Sequence, residues 1–313
     1  MAELADASDS KSDEGDLVRV RFPSSASKKK AMIIYCRLFF LVQKNKYKYG
    51  GITMITKANL INDLRNMEID PKGTVLVHIS YKSIGDVEGI GYSVVEALME
   101  YMKEGLLVLP THTWNNINIH GDTIMDITKT PVCVGILPEI FRGMEGVQRS
   151  IHPTHSVGAY GSDAEEFISG EEFSKSPCPK NSVYHKLLER NATILLIGVD
   201  FTKNTFIHGV EEWNNVPNRL TEEPHDLYVI GKDGKKYHTP QNRHTSDLGS
   251  TTYWKLEDLM FCKGAMRKGT FGNAEVMICD SVKLNDILSK MLAVDIDVLS
   301  DNEPLHDKWF SME

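Results

Sequence analysis

TVLVHIS at residues 74–80, YSVVEALMEYMKEG at 92–105 and LLVLPT at 106–111 are the stretch on which the fold turns. The first run is short, apolar and rich in β-branched side chains, the pattern of a strand buried on both faces. Pro71-Lys72-Gly73 supplies the turn that leads into it. The second run reads as a helix with a terminal glycine, and the third as another buried strand. Strand, loop, helix, strand is a βαβ unit, which predicts a parallel pair with helices on its faces.

Upstream, TKANLINDLRNMEI (56–69) predicts an amphipathic helix capped by Thr56, with Leu60, Ile61 and Leu64 at helical spacing. Downstream, GILPEIFRGM (135–144), DAEEFIS (163–169) and SVYHKLLER (182–190) read as helices and SVGAYG (156–161) as extended. TILLIGV (193–199) is a further buried strand, followed by a loop and FIHGVEEWN (206–214). YVIGKDGKKYHT (228–239) reads as two short strands around a DG turn, a β-hairpin. WKLEDLMFCKGAM (254–266) reads as helix, FGNAEVMIC (271–279) as strand and VKLNDILSKML (282–292) as a closing helix. The expected fold is α/β: a mixed, largely parallel central sheet flanked by helices, with a β-hairpin insertion.

Residues 1–30, rich in Ser, Asp, Glu and Lys, read as disordered, and residues 1–50 as an appended extension. The catalytic domain is expected over 51–300, and 301–313 as a C-terminal tail. The apolar run MIIYCRLFFLV (32–42) follows KKK like a signal peptide, but it is too short to span a bilayer, contains Arg37 and precedes no small-residue cleavage site. A net charge of −8 disfavours a general nucleic-acid binder, since phosphate contacts need clustered Lys and Arg, and it suits a cationic partner. Cys36, Cys133, Cys178, Cys262 and Cys279 are scattered, with no CxxC, so a reduced, cytoplasmic setting is the simplest expectation. No membrane partner is expected, and a homo-oligomer is compatible with the sequence.

Several of the histidines stand at strand ends or in loops, where an imidazole can serve as base or ligand. His78 lies near the end of the first buried strand, and Thr111-His112-Thr113 end the second. Ligands of open α/β sheets bind beyond the carboxyl ends of the strands, so both are placed where a site should be. RSIHPTHSVGAYG (149–161) holds His152, His155 and Ser156 around Pro153, which prevents a regular helix. As a metal motif this HxxH is incomplete, and no metal is predicted. In NTFIHGVEEW (204–213), His208 and Glu211 fall three residues apart on one helix face, the arrangement of a carboxylate-assisted general base. The same spacing also describes an ordinary surface pair. SYKSIGDVEGIGYS (80–93) has glycines that permit close backbone approach, then a helix start with free N–H groups, and Lys82 adds a positive charge.

Taken in order, these segments resemble the antibiotic N-acetyltransferase family typified by aminoglycoside 3-N-acetyltransferases, over roughly residues 54–295. The resemblance rests on VLVHISYKSIGDVEG, LLVLPTHTW, RSIHPTHSVGAYG, the long run SPCPKNSVYHKLLERNATILLIGVDFTKNTFIHGVEE and KGTFGNAE. It implies His208 as catalytic histidine with Glu211 as its partner, and His152, in the active-site loop, as a further catalytic residue. It also implies His78, Ser80, Lys82, Ser83, Thr111 and Ser156 around the acetyl-CoA (coenzyme A) co-substrate. The implied reaction is direct transfer of acetyl from acetyl-CoA to an amine, most naturally the 3-amino group of an aminoglycoside, the chemistry of antibiotic resistance. Glu211, Glu212, Glu222, Glu223 and Asp247 are the carboxylates expected to meet such a polycation. The chain departs from the family at Ile90, where a second glycine is usual, in its N-terminal extension, and around Asp233-Gly234 and residues 244–247. Competing readings are an acyltransferase for another amine, a non-catalytic coenzyme A binder, and a metal-dependent hydrolase built on His78, His152, His155 and His208.

Overall fold

The computed structural model describes residues 54–245 and 249–312. The extension over 1–50, including the apolar run at 32–42, and Asp247 lie outside the described residues. The first part of the fold contains α1 (Lys57–Asn66), β1 (Thr74–Ile79), α2 (Tyr81–Ile84), α3 (Gly91–Tyr101), β2 (Leu106–Pro110) and β3 (Ile124–Asp126). Then come α4 (Ile136–Phe141), β4 (Gln148–Arg149), β5 (Val157–Gly161), α5 (Ala164–Ile168), α6 (Val183–Glu189) and β6 (Thr193–Ile197). The chain continues with α7 (Phe206–Trp213), the hairpin β7 (Tyr228–Ile230) and β8 (Lys236–His238), and α8 (Glu257–Cys262). It closes with β9 (Met266–Phe271), β10 (Ala274–Asp280) and α9 (Ser281–Val294).

A seven-stranded sheet in the order β4-β5-β2-β1-β6-β10-β9 forms the centre. β1 pairs in parallel with β2 and β6, as the βαβ pattern requires. β5 and β10 run antiparallel to this core, and β4 and β9 turn back again, so five of the seven strands share one direction. Successive side chains of the central strands enter opposite layers. Leu76, Leu106, Val108, Ile194 and Leu196 face a core with α6, α7 and α9, whereas Val75, Val77, Leu107, Leu109, Leu195 and Ile197 face one with α1, α3 and α4. Burial on both faces explains why these strands read as unbroken apolar runs rather than alternating ones. The hairpin does form, and β7 adds β3 in parallel to make a separate three-stranded sheet. Among the described residues no helix is long and apolar enough to cross a membrane.

Local chemistry sets the element ends. Thr56 caps α1 by accepting from the Asn59 N–H at 3.1 Å, and Asn59 returns a bond to the Thr56 N–H at 3.0 Å. The helix expected over 254–266 is instead a 3₁₀ turn (Gly249–Leu256) followed by α8. Gly264, at φ +66°, stops it, and Met266 already belongs to β9. β9 is an edge strand whose middle faces solvent, so MRKGTF carries no apolar run to mark it in the sequence. The expected strand at 271–279 correspondingly starts at Ala274, with Gly272 and Asn273 forming the turn.

Three motif segments lock together at the carboxyl ends of the parallel strands. The Ser80 N–H donates to the Ile197 carbonyl at 2.9 Å, the Ser83 hydroxyl to the Gly198 carbonyl at 3.0 Å, and the Asn273 N–H to the Ile84 carbonyl at 2.8 Å. Gly198 sits at φ +61°, where an added Cβ would stand 2.2 Å from Cβ of Ser83. Gly198→Ala is therefore expected to destabilise the protein by about 2 kcal/mol or more, read from chemical denaturation. Ile90, entering α3, holds φ +62° and ψ −150°, a region that β-branched residues avoid. Ile90→Gly is expected to raise stability by about 1 kcal/mol in the same assay, despite the entropy that glycine adds to the unfolded chain.

Candidate active site

β1, β2 and β6 end at one sheet edge, and the chain entering β5, which runs the other way, comes to the same edge. This gathers His78, Thr111, the 149–156 loop and the segment leading into α7. The geometry around His208 is specific. The Tyr253 hydroxyl lies 2.7 Å from His208 Nδ1 and donates to Oε2 of Glu211 in a short hydrogen bond. A phenol has one proton; given to Glu211, it leaves the oxygen to accept from His208 Nδ1–H. The lone pair of His208 is therefore on Nε2. Glu211 Oε2 itself stands 3.6 Å from Nδ1, so the partnership read from the i, i+3 spacing runs through Tyr253.

Glu211 is 1% exposed. Burial alone would push its carboxyl up, but the nearby His208 and Arg219 and the hydrogen bond from Tyr253 outweigh this and hold it below the ordinary range. Arg219 Nε approaches Oε1 to 2.8 Å as an ion pair whose N–H does not point along the contact. Burial, reinforced by Glu211, drives the Tyr253 phenol well above its usual value, so it keeps its proton. Arg219 and Tyr253 carry no local sequence signal: one lies in an irregular segment and the other in a 3₁₀ turn.

The remaining expected residues form the floor. His152 is fully buried; its Nδ1 accepts from the N–H groups of Thr154 at 3.2 Å and His155 at 2.8 Å, so its proton lies on Nε2, 3.2 Å from the Ser176 carbonyl. Both nitrogens are committed to the scaffold, and no hydrogen bond or ring contact joins His152 to His208 among the described residues. Thr111 and Ser156 meet at 3.0 Å in a buried knot, where Ser156 donates to the Thr111 carbonyl at 2.7 Å and Arg149 donates to the same carbonyl at 2.8 Å. His78 is buried, and its Nε2 has no hydrogen-bond partner among the described residues. Ser80 and Ser83 flank α2's start, and Lys82 is exposed beside them. Of the expected acidic lining, Glu211 and Glu212 are bonded inward, whereas Glu222 and Glu223 are exposed.

The four histidines of the hydrolase reading are not assembled as ligands. Among the described residues the donor atoms that converge are Cys178, Glu212 and His244, within 4.8 Å of one another. Glu212 already accepts from the Ser176 hydroxyl at 2.5 Å and the Cys178 N–H at 2.9 Å, and stands 2.9 Å from His244 Nε2. Protein groups thus already hold this carboxylate.

Residues 76–293 match the family described as aminoglycoside 3-N-acetyltransferase. The chain belongs to this family. The match takes in His78, His208, Glu211 and Tyr253 alike. Among curated relatives, aminoglycoside N(3)-acetyltransferase IV of Salmonella sp. is 32% identical over 51% of this chain and 60% of its own. The prophage-derived aminoglycoside N(3')-acetyltransferase-like protein YokD of Bacillus subtilis (strain 168) is 30% identical over 50% and 64%. The chain therefore spans less than two thirds of these relatives' length in the aligned sequence. In structure, aminoglycoside acetyltransferase AAC(3)-IVa, as a mutant in complex with a gentamicin, superposes with a TM-score of 0.69 at 25% identity, covering 85% of this chain and 96% of that one. AAC-IIIb in binary complex with CoASH superposes at 0.68 and 18% identity over 77% and 97%, a likeness of fold.

Burial makes the site's histidines a pH liability. It drives His78 down to about 3 and His152 to about 4, and holds His112, His155 and His244 well below the imidazole range. Such groups contribute stability that is complete above about 6.5, their unfolded value, and is lost as pH falls toward the folded values. Glu171 and Glu212, pushed up to about 7 by burial, act oppositely: their contribution is complete below about 4.5 and is lost as pH rises through 7. Five imidazoles outweigh two carboxyls, so the melting temperature is expected to fall between pH 7.5 and 5.5, with net proton uptake on unfolding. A flat or rising melting temperature over that interval refutes the neutral-histidine floor.

Proposed function

We propose that this protein transfers the acetyl group of acetyl-CoA to an amine by direct attack, with His208 Nε2 as general base. The observation that carries the reading is the hydrogen-bond chain His208–Tyr253–Glu211, which puts the lone pair on Nε2. A protonated amine cannot attack a thioester. The ammonium first gives one proton to solvent, and Nε2 takes a second as the freed nitrogen bonds to the acetyl carbon. Collapse of the tetrahedral adduct breaks the carbon–sulfur bond, and the departing sulfur takes the proton back from Nε2–H, so coenzyme A leaves as thiol. As His208 becomes an imidazolium, Nδ1–H keeps its bond to Tyr253, and the Glu211 carboxylate lies 3.6 Å away to offset the charge. A thioester is already activated, so no covalent enzyme intermediate is required.

We assign coenzyme A to the carboxyl edge of the sheet around Ser80, Lys82 and Ser83, and assign His78, Thr111, Ser156 and His152 to supporting that edge. The catalytic domain is assigned to residues 51–300. The acceptor class follows the family: the relatives are named as aminoglycoside N(3)-acetyltransferases, and the structure of AAC(3)-IVa holds a gentamicin. The 3-amino group of an aminoglycoside is accordingly the proposed acceptor, with Glu222 and Glu223 as the exposed carboxylates available to it.

Thiol release from acetyl-CoA by the purified protein, measured with a panel of aminoglycosides, tests this. Release is expected to require an aminoglycoside, and His208→Ala is expected to lower kcat by about 10²–10⁴-fold. Full activity in the variant would remove His208 from its role; binding of coenzyme A without release from any aminoglycoside would move the acceptor to another amine.

A further inference from the structure

Glu211 and Glu212 are adjacent on α7, and each serves a different imidazole. Glu211 reaches His208 through Tyr253. Glu212 Oε1 stands 2.9 Å from Nε2 of His244, which lies beyond the β7–β8 hairpin. The ring of His244 stacks on His208, with centroids 4.0 Å apart and planes 23° from parallel. His155 meets His244 edge-on at 5.1 Å, and His112 meets His155 at 4.6 Å, so the stack is backed by further imidazoles. The mechanism above makes no use of His244.

We propose that His244, held by Glu212, is a positioning residue that fixes the ring plane of His208 and offers a neutral aromatic face to the imidazolium formed during proton transfer. This rests on the reading of His208 as the base. The bond from Nδ1 to Tyr253 fixes one edge of the His208 ring but allows it to tilt about that contact; a ring stacked on its face removes the tilt and keeps Nε2 aimed. An aromatic face also attracts a cation, provided that the face is itself uncharged. His244 meets that condition: burial holds it well below the imidazole range, and the nearby His208, Arg219 and Arg243 lower it further, outweighing Glu211. With Glu212 also bonded by Ser176 and Cys178, the stacked ring is anchored to two other segments of chain, α7 and residues 176–178.

The test compares His244→Ala, which removes the ring, with His244→Phe, which keeps a neutral flat face and loses only the bond to Glu212. Turnover, KM for acetyl-CoA and melting temperature are measured for each. His244→Ala is expected to lower kcat about tenfold with KM for acetyl-CoA unchanged, and His244→Phe to recover to within about threefold of wild type. Turnover within twofold of wild type in His244→Ala, or a folded His244→Phe as slow as His244→Ala, overturns the proposal. Nitrogen-15 spectra of the His208 ring separate this from the fate of the base assignment. They need no acceptor: wild type is expected to show the single Nδ1–H tautomer with sharp ring signals, and His244→Ala the same tautomer with ring signals broadened by tilting. An unchanged ring spectrum overturns the positioning role even where His208→Ala abolishes turnover. If His208→Ala leaves turnover intact, the base reading fails on its own.

Discussion

A carboxylate that is 1% exposed has to be compensated by the protein around it, and Glu211 is such a group. Its position on the inner face of α7 dictates what surrounds it. Arg219 approaches one oxygen, the Tyr253 hydroxyl binds the other, and that hydroxyl in turn accepts from His208. The tautomer of His208 is thus a consequence of satisfying one buried charge. The same demand explains why a segment without regular secondary structure, carrying Arg219, and a 3₁₀ turn, carrying Tyr253, are drawn against the helix.

The sheet makes this cluster possible. Because β2, β1 and β6 run parallel, their carboxyl ends deliver the 80–84 turn, the 111–113 segment and the lead into α7 to one edge. The antiparallel β5 adds the 149–156 loop by its opposite end. Gly198 permits the closest of these approaches, since no side chain fits between the chain leaving β6 and Ser83. The floor is then lined by imidazoles that burial keeps neutral.

The residues gathered at the candidate site were legible in the sequence to different degrees, and the reasons differ by residue. His208 and Glu211 were visible because helical periodicity places positions three apart on one face. His78 and Thr111 were visible because each closes or adjoins the end of an apolar run. Arg219, Tyr253 and His244 were not, as they lie far along the chain from the groups they touch and inside no periodic pattern. His152 stood out as a histidine in an irregular loop, but which atoms its two nitrogens bind depended on Thr154, His155 and Ser176 folding around it.

The sequence by itself determined the βαβ core, the buried strands and their flanking helices, the hairpin and the identity of the histidine at the head of α7, but not β3, β4 or the edge strand β9. These follow from local physics: side-chain periodicity, caps and turn residues act over a few positions. Tertiary structure alone decided that Tyr253 stands between His208 and Glu211, that Glu212 turns to His244 instead of to solvent, and that two imidazoles stack face to face. Those outcomes arise where groups distant in the chain compete for the same buried donors and acceptors, and that competition is settled only when the segments are packed together.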